Sequence, residues 1–216
     1  MKLEMNVYDT ANKLAQELKN SEEYVNYKMA KETLNLNTEL KKKIQKIKDA
    51  FNSGRKDKHP QPPKTATDDA VYQILESYFD YEKNELKKLV QAHKDAMAAE
   101  NIVGELLERF LASILEPHGW LWCSGSVIKA VDFVKENEDG SWIFLQIKNR
   151  DNSENSSSKA IRDNTDIQKW FRSFSKKPVF NWEAFPLPPG QECLKVSLTE
   201  DNFRKFIKTY LKRIKK

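Results

Sequence analysis

Apolar positions in the first fifty residues recur at helical spacing. Val7, Ala11, Leu14, Ala15 and Leu18 fall three and four apart, which lines them along one helix face. Asn20-Ser21-Glu22-Glu23 interrupts that run, with Ser21 as the N-cap of a second helix carrying Tyr24, Tyr27, Ala30, Leu34 and Leu36. Asn37 or Thr38 caps a third stretch, Glu39 to Phe51. Helices this short bury too little to stand alone, so their apolar face must dock on something. Asn52 to Lys64 then carries Gly54, Pro60, Pro62 and Pro63 and no large apolar side chain. Such a stretch breaks both helix and strand, and it divides the chain into a helical module (residues 1–51), a linker (52–64) and a second domain (65–216).

The second domain opens on helices. Thr67-Asp68-Asp69 caps a pattern of Val71, Ile74, Leu75, Tyr78, Phe79, Leu86, Leu89 and Val90. A further stretch, Ala96 to Leu115, places Ile102, Leu106, Leu107, Phe110, Leu111, Ile114 and Leu115 on one face and stops at Glu116-Pro117-His118-Gly119. The period then changes to that of strands. Trp120 to Cys123, Val127 to Val134 and Trp142 to Lys148 are rich in β-branched and aromatic residues, and Asp139-Gly140 marks a hairpin turn between the last two. A polar loop over Asn149 to Ser158, a helix over Ser158 to Ser175, a short strand over Leu194 to Leu198 and a final helix capped at Thr199-Glu200-Asp201 complete the expectation. Together these elements describe an α/β (α+β) chain.

Composition narrows the class. Charged residues make up 32% of the 216, yet eleven phenylalanines and five tryptophans supply a core, so the chain folds under a highly charged surface. No apolar run approaches the ~20 residues of a membrane span, and the first residues lack the apolar centre of a signal peptide. The cytoplasm is the expected compartment. Cys123 and Cys193 have no metal-ligand spacing and read as ordinary packed thiols. The net charge of +5 is unevenly spread: residues 1–59 hold 13 basic against 9 acidic side chains, and Arg204 to Lys216 holds seven basic and no acidic one. A basic tail of that kind suits either a phosphate backbone or a solvated helix face.

One group of residues carries chemistry. Glu105 lies on a helix, with Glu108 three residues on. Asp132 sits near the end of an apolar strand, and Gln146-Ile147-Lys148 ends the next. A strand's period of two puts Gln146 and Lys148 on one face and turns Ile147 into the core. A turn at Asn137 to Gly140 brings Asp132 beside that face. A carboxylate and an amide oxygen are hard ligands for Mg²⁺, and an adjacent ammonium can orient water and stabilise a pentavalent phosphorus. The plainer reading is a cross-strand Asp132–Lys148 ion pair worth up to about 1 kcal/mol.

At these residues the sequence resembles a known superfamily. Glu105, Val131-Asp132 and Gln146-Ile147-Lys148 look like the PD-(D/E)XK nuclease core, which implies a restriction-endonuclease-like mixed sheet flanked by helices. Val131 stands where the motif names proline, and Gln146 where it names Asp or Glu, which removes one negative charge. Trp120 to Ser126, Leu145 to Ser158 and Ile167-Gln168-Lys169-Trp170-Phe171-Arg172 resemble type II restriction endonucleases, most of all the SinI-type family, over about Ala99 to Pro186. That resemblance implies Mg²⁺-dependent cleavage of double-stranded DNA at a short site by a homodimer. Asp132 and Gln146 would hold the metal with Glu105 assisting, and Lys148 would sit at the water. Met5 to Asp49 is similar to the YlbF-type helical family, which implies an interaction module. The core motif alone leaves open a related nuclease of repair, transposition or defence, and the basic tail with the helical module leaves open a non-catalytic DNA-binding or scaffold protein.

The loop after Lys148 is expected to touch DNA. Asn149, Arg150, Asn152, Ser153, Asn155, Ser156 and Ser157 all donate to phosphate, and Arg150 could read guanine with two bonds. Lys159, Arg162, Lys169 and Arg172 on the expected following helix would add a basic face, interrupted by Asp163 and Asp166. Trp170, Phe171, Trp182 and Phe185 read as core.

Overall fold

A computed structural model describes residues 7–64, 66, 68–125, 128–152 and 165–215. The chain divides into two compact units between Ala50 and Phe51.

The first unit is helical. Helices α1 (Val7–Asn20), α2 (Glu22–Leu36) and α3 (Thr38–Arg55) follow one another, and the last turn of α3 belongs to the second unit. Ser21 Oγ accepts from the Tyr24 N–H at 3.2 Å, and Asn37 Oδ1 accepts from the Leu40 N–H at 2.9 Å. Both caps were legible from residue type. No side chain of α2 or α3 is buried.

Among its described residues the second unit contains α4 (Asp69–Phe79), α5 (Lys83–Leu115), four strands and α6 (Glu200–Ile214). Asp68 caps α4 by accepting from the Ala70 N–H at 2.9 Å. The helix ends at Asp80, which takes the left-handed conformation (φ 56°). Helix α5 then runs unbroken for 33 residues from a reciprocal Glu82/Glu85 capping box. The apolar pattern pauses over Gln91 to Asp95, but nothing there breaks a helix, so the two expected stretches meet in one element.

The sheet is open and mixed, in the order β1 (Trp120–Trp122), β2 (Phe133–Glu136), β3 (Trp142–Arg150), β4 (Ile167–Ser173). The first two neighbours pair antiparallel, and β4 lies parallel to β3. Strand β2 starts later than the apolar pattern suggests. Ala130 takes a positive φ of 63°, and regular pairing resumes only beyond it.

Two expectations are corrected. Ile167–Ser173 is a strand, not the second half of a helix, because its β-branched and aromatic residues find a parallel partner in β3. The first half of that expected helix lies outside the described residues. The region around Leu194 is a 3-10 helix, Glu192–Val196, instead of a strand. Leu194 and Leu198 are both buried and four residues apart, a spacing that suits a turn of helix and not an alternating strand.

The core lies between the sheet, α5 and α6. Leu106, Leu107, Leu111 and Leu115 of α5 meet Phe133, Leu145, Ile147 and Trp170 of the sheet, and Phe203 and Tyr210 of α6 close the other side. Each fully buried leucine contributes roughly 1.5–3 kcal/mol. Among the described residues no helix is long and apolar enough to cross a membrane.

Candidate active site

The β2–β3 hairpin brings the expected residues together. The antiparallel β2–β3 register ends with Phe133 opposite Leu145, and Asp132 is the residue just before it, held against the same stretch of β3. The Asp132 backbone extends the ladder: its N–H donates to Leu145 O and its carbonyl accepts from the Cys123 N–H, both at 2.8 Å. Its side chain turns back onto β3, where Oδ2 accepts from the Ile147 N–H at 2.6 Å. The carboxylate is therefore anchored on the N–H of the Gln146–Ile147 peptide, one residue before Lys148. Gln146 is 1% exposed, Ile147 is buried in the main core and Lys148 is half-buried.

Helix α5 faces this edge with Glu108. Its Oε2 accepts from the Trp122 indole N–H at 3.0 Å. Burial and the negative charge of Asp132 push the Glu108 carboxyl up to about 8, against the pull of the Trp122 N–H and the Lys148 ammonium; Glu105 pushes the same way as Asp132. The Asp132 carboxyl is also raised by burial, and the Ile147 N–H and Lys148 hold it down. Two carboxyls and a lysine thus share one field.

Glu105, the helix acid expected from sequence, is engaged elsewhere. Its Oε1 pairs with Arg109 at 2.7 Å. Glu108 and Glu105 both have buried residues three or four positions away, Leu111 and Ala112 for the first and Ile102 and Arg109 for the second, so helix spacing alone does not choose between them.

The edge is braced from behind. Arg109, 8% exposed, donates to the carbonyls of Gly54 (2.8 Å), Arg55 (3.2 Å) and Lys56 (2.6 Å), which closes the C-terminal end of α3. Arg55 in turn pairs with Glu116 and donates to Trp122 O at 3.3 Å. Ser124 Oγ donates to Phe51 O at 3.0 Å. Gly54 lies so close to the loop that an added Cβ would meet Gly125 N at 2.4 Å. Trp122 therefore joins the α3 terminus, through its carbonyl, to Glu108, through its indole.

The group suits a hard divalent cation. Among the described residues no three His, Cys, Asp or Glu side chains form a metal cage. What the edge offers is Asp132 and Glu108, both oxygen donors, with the buried Gln146 next along β3 to the Ile147 N–H that holds Asp132. Burial first, and then the charges of Asp132 and Glu105, raise the Glu108 carboxyl, and a bound cation would favour its ionised form. A small donor set of this kind fits an ion that keeps several waters, as Mg²⁺ does.

The residues expected to touch DNA are placed unevenly. Asn149 and Arg150 extend β3 instead of opening a loop, and Arg150 and Asn152 are exposed. Asn149 Oδ1 accepts from Arg172 Nε at 3.0 Å. Ser153, Asn155, Ser156, Ser157, Lys159 and Arg162 lie outside the described residues. Lys169 and Arg172 sit on β4, three residues apart, so they point to opposite faces and form no shared basic surface. Lys169 lies across from Gln146. Arg172 is committed to structure: its Nη1 pairs with both Glu200 oxygens at 2.9 and 2.7 Å, and its plane stacks on Phe180 and Phe203. Trp170 is buried and donates to Asn181 O, as a core residue should.

Residues 10–213 match the SinI restriction endonuclease family. The helices that resemble the YlbF-type family fall almost wholly inside that match. The type II restriction enzyme SinI of Salmonella infantis is 50% identical over 173 residues, covering 80% of this chain and 74% of the relative. The type II restriction enzyme Eco47I of Escherichia coli is 46% identical over 172 residues, 79% and 73% of the two chains.

Proposed function

The chain belongs to the SinI restriction endonuclease family and is a type II restriction enzyme; from that premise we propose that it hydrolyses phosphodiester bonds of double-stranded DNA with Mg²⁺ at the β2–β3 edge. The observation that carries the reading is the bond from the Ile147 N–H to Asp132 Oδ2, which fixes the acid between Gln146 and Lys148. Asp132 and Gln146 hold the metal, and Glu108 serves as the helix acid. Glu105, tied to Arg109, supports Glu108 from one turn away. When bound, Mg²⁺ supplies an acidified water and positive charge opposite the phosphate.

Lys148 orients the attacking water and donates to a phosphate oxygen as charge builds there. Its ammonium also favours the ionised forms of Asp132 and Glu108. Gln146 in place of a carboxylate leaves one fewer negative charge, which keeps the edge from repelling the phosphate. Arg150 and Asn152, at the exposed end of β3, contact DNA together with the polar segment that follows. The protein works in the cytoplasm as a homodimer, because the two strands of a near-palindromic site present the same chemistry twice. The helical module (1–51) joins the nuclease domain (65–216) through residues 52–64 and serves as an interaction module.

Incubating plasmid DNA with the protein and Mg²⁺ tests this directly. Discrete fragments are expected with Mg²⁺ and none with a chelator. Asp132→Ala should leave the plasmid intact while still shifting a DNA duplex on a gel. Discrete fragments from Asp132→Ala at the wild-type rate would remove the residue from the site.

A further inference from the structure

We propose that α4 and the first half of α5 form an arm whose outer face binds the same arm of a second copy of this chain. This rests on the dimeric reading above and adds where the two copies meet.

Between Lys83 and Met97 helix α5 buries only Leu86, whereas from Ala98 onward it is built into the core. Fifteen residues of helix span roughly 22 Å, so this half stands clear of the sheet with α4 as its neighbour. Helix α4 buries no residue at all. It is apolar on two stripes: Tyr72, Leu75 and Phe79 at spacings of three and four, and Val71, Ile74 and Tyr78 likewise. Tyr72 and Leu75 are half-buried and Phe79 is 57% exposed, while Ile74 and Tyr78, which do not line the groove between the two helices, are 57% and 77% exposed. A groove of about 480 Å³ runs between the helices, lined by Val71, Leu75, Leu89, Val90 and Met97. A helix apolar on two sides needs two partners, and α5 supplies one.

Charge names the second partner. Asp68 to Asp80 holds Asp68, Asp69, Glu76 and Asp80 and no base. Lys83 to Met97 holds Lys83, Lys87, Lys88 and Lys94 against Glu85 and Asp95. Among the described residues none of these charges forms an ion pair within the chain. An acidic helix beside a basic one is self-complementary. Under a two-fold axis, each α4 meets the other copy's α5, and each apolar stripe is covered by its like. A stable interface of this type needs about 800 Å² per copy, within reach of two helices.

Charge reversal on the full chain provides the test, read by sedimentation velocity with and without a DNA duplex. One variant carries Asp69→Lys and Glu76→Lys, the other Lys87→Glu and Lys94→Glu. Each alone should weaken self-association at least tenfold, and mixing them should restore a dimer of wild-type strength, which damage to folding could not do. As a second measurement, Tyr78→Cys in a Cys193→Ser chain should cross-link to itself with a bismaleimide, whereas Thr209→Cys on α6 should not. Wild-type association by both reversed chains, or weakening without rescue on mixing, would overturn the arm as the interface. A wild-type chain that stays monomeric on DNA while cutting it would overturn the dimeric reading itself, and the arm with it.

Discussion

Helix α5 contains two regions with the same sequence rhythm and different fates. Its first fifteen residues bury one side chain, Leu86, and its last eighteen bury nine, from Ala98 to Leu115. Both halves repeat apolar residues at helical spacing. The second half meets a sheet on one side and α6 on the other, and the first half lies beside α4. The acids divide in the same way. Glu85 caps its own helix and Asp95 accepts from Gln91, both exposed, whereas Glu108 lies against Trp122 in the field of Asp132. Periodicity thus makes a helix, and only its neighbours give a glutamate on it a raised carboxyl.

The comparison predicts unequal stability losses. Leu107→Ala, in the buried half, should cost roughly 3–4 kcal/mol, while Leu89→Ala in the arm should cost about 1 kcal/mol in the monomeric state. Urea unfolding at low protein concentration reads both. Equal losses would show that the halves are packed alike.

Arg109 should come next. Arg109→Leu strands the Gly54, Arg55 and Lys56 carbonyls and frees Glu105, at a cost of roughly 3 kcal/mol, and Lys cannot reproduce the fork of bonds. Cleavage should fall along with stability, since the brace ends at Trp122. Full activity in a stably folded Arg109→Leu chain would separate the brace from the site.

The smallest effect has the opposite sign. The Glu108 carboxyl is raised in the folded state to about 8, so its contribution to metal-free stability is complete below its unfolded value near 4.5 and is lost as pH rises toward 8. Glu108→Gln cannot ionise and should flatten that decline, raising Tm at pH 8 in chelator by roughly 5 °C. It should also cut poorly. Glu105→Gln should keep most of the decline in stability between pH 4.5 and 8, and a pH profile as flat as that of Glu108→Gln would contradict the assignment of Glu108.

Much of this was legible in the chain. Ser21, Asp68 and Thr199 announced their helices because a cap is a local bond. Asp132 and Lys148 could be brought together because a tight turn at Asn137 to Gly140 fixes the hairpin register. Strand β4 was not legible, since its partner β3 is parallel and the connection between them is long. The bond of Arg172 to Glu200, 28 residues away, was not legible either. The choice between Glu105 and Glu108 depended on which side of α5 the sheet covers, a fact of packing that no spacing on the helix alone decides.

The most direct test of the β2–β3 edge as the active site is the cleavage rate of Lys148→Ala, measured beside its duplex binding and its thermal unfolding. The rate should drop by several orders of magnitude with Kd and Tm nearly unchanged, because binding draws on many phosphate contacts and a half-exposed lysine contributes less than about 1 kcal/mol to folding. A folded Lys148→Ala chain that cuts DNA at the wild-type rate would contradict the account.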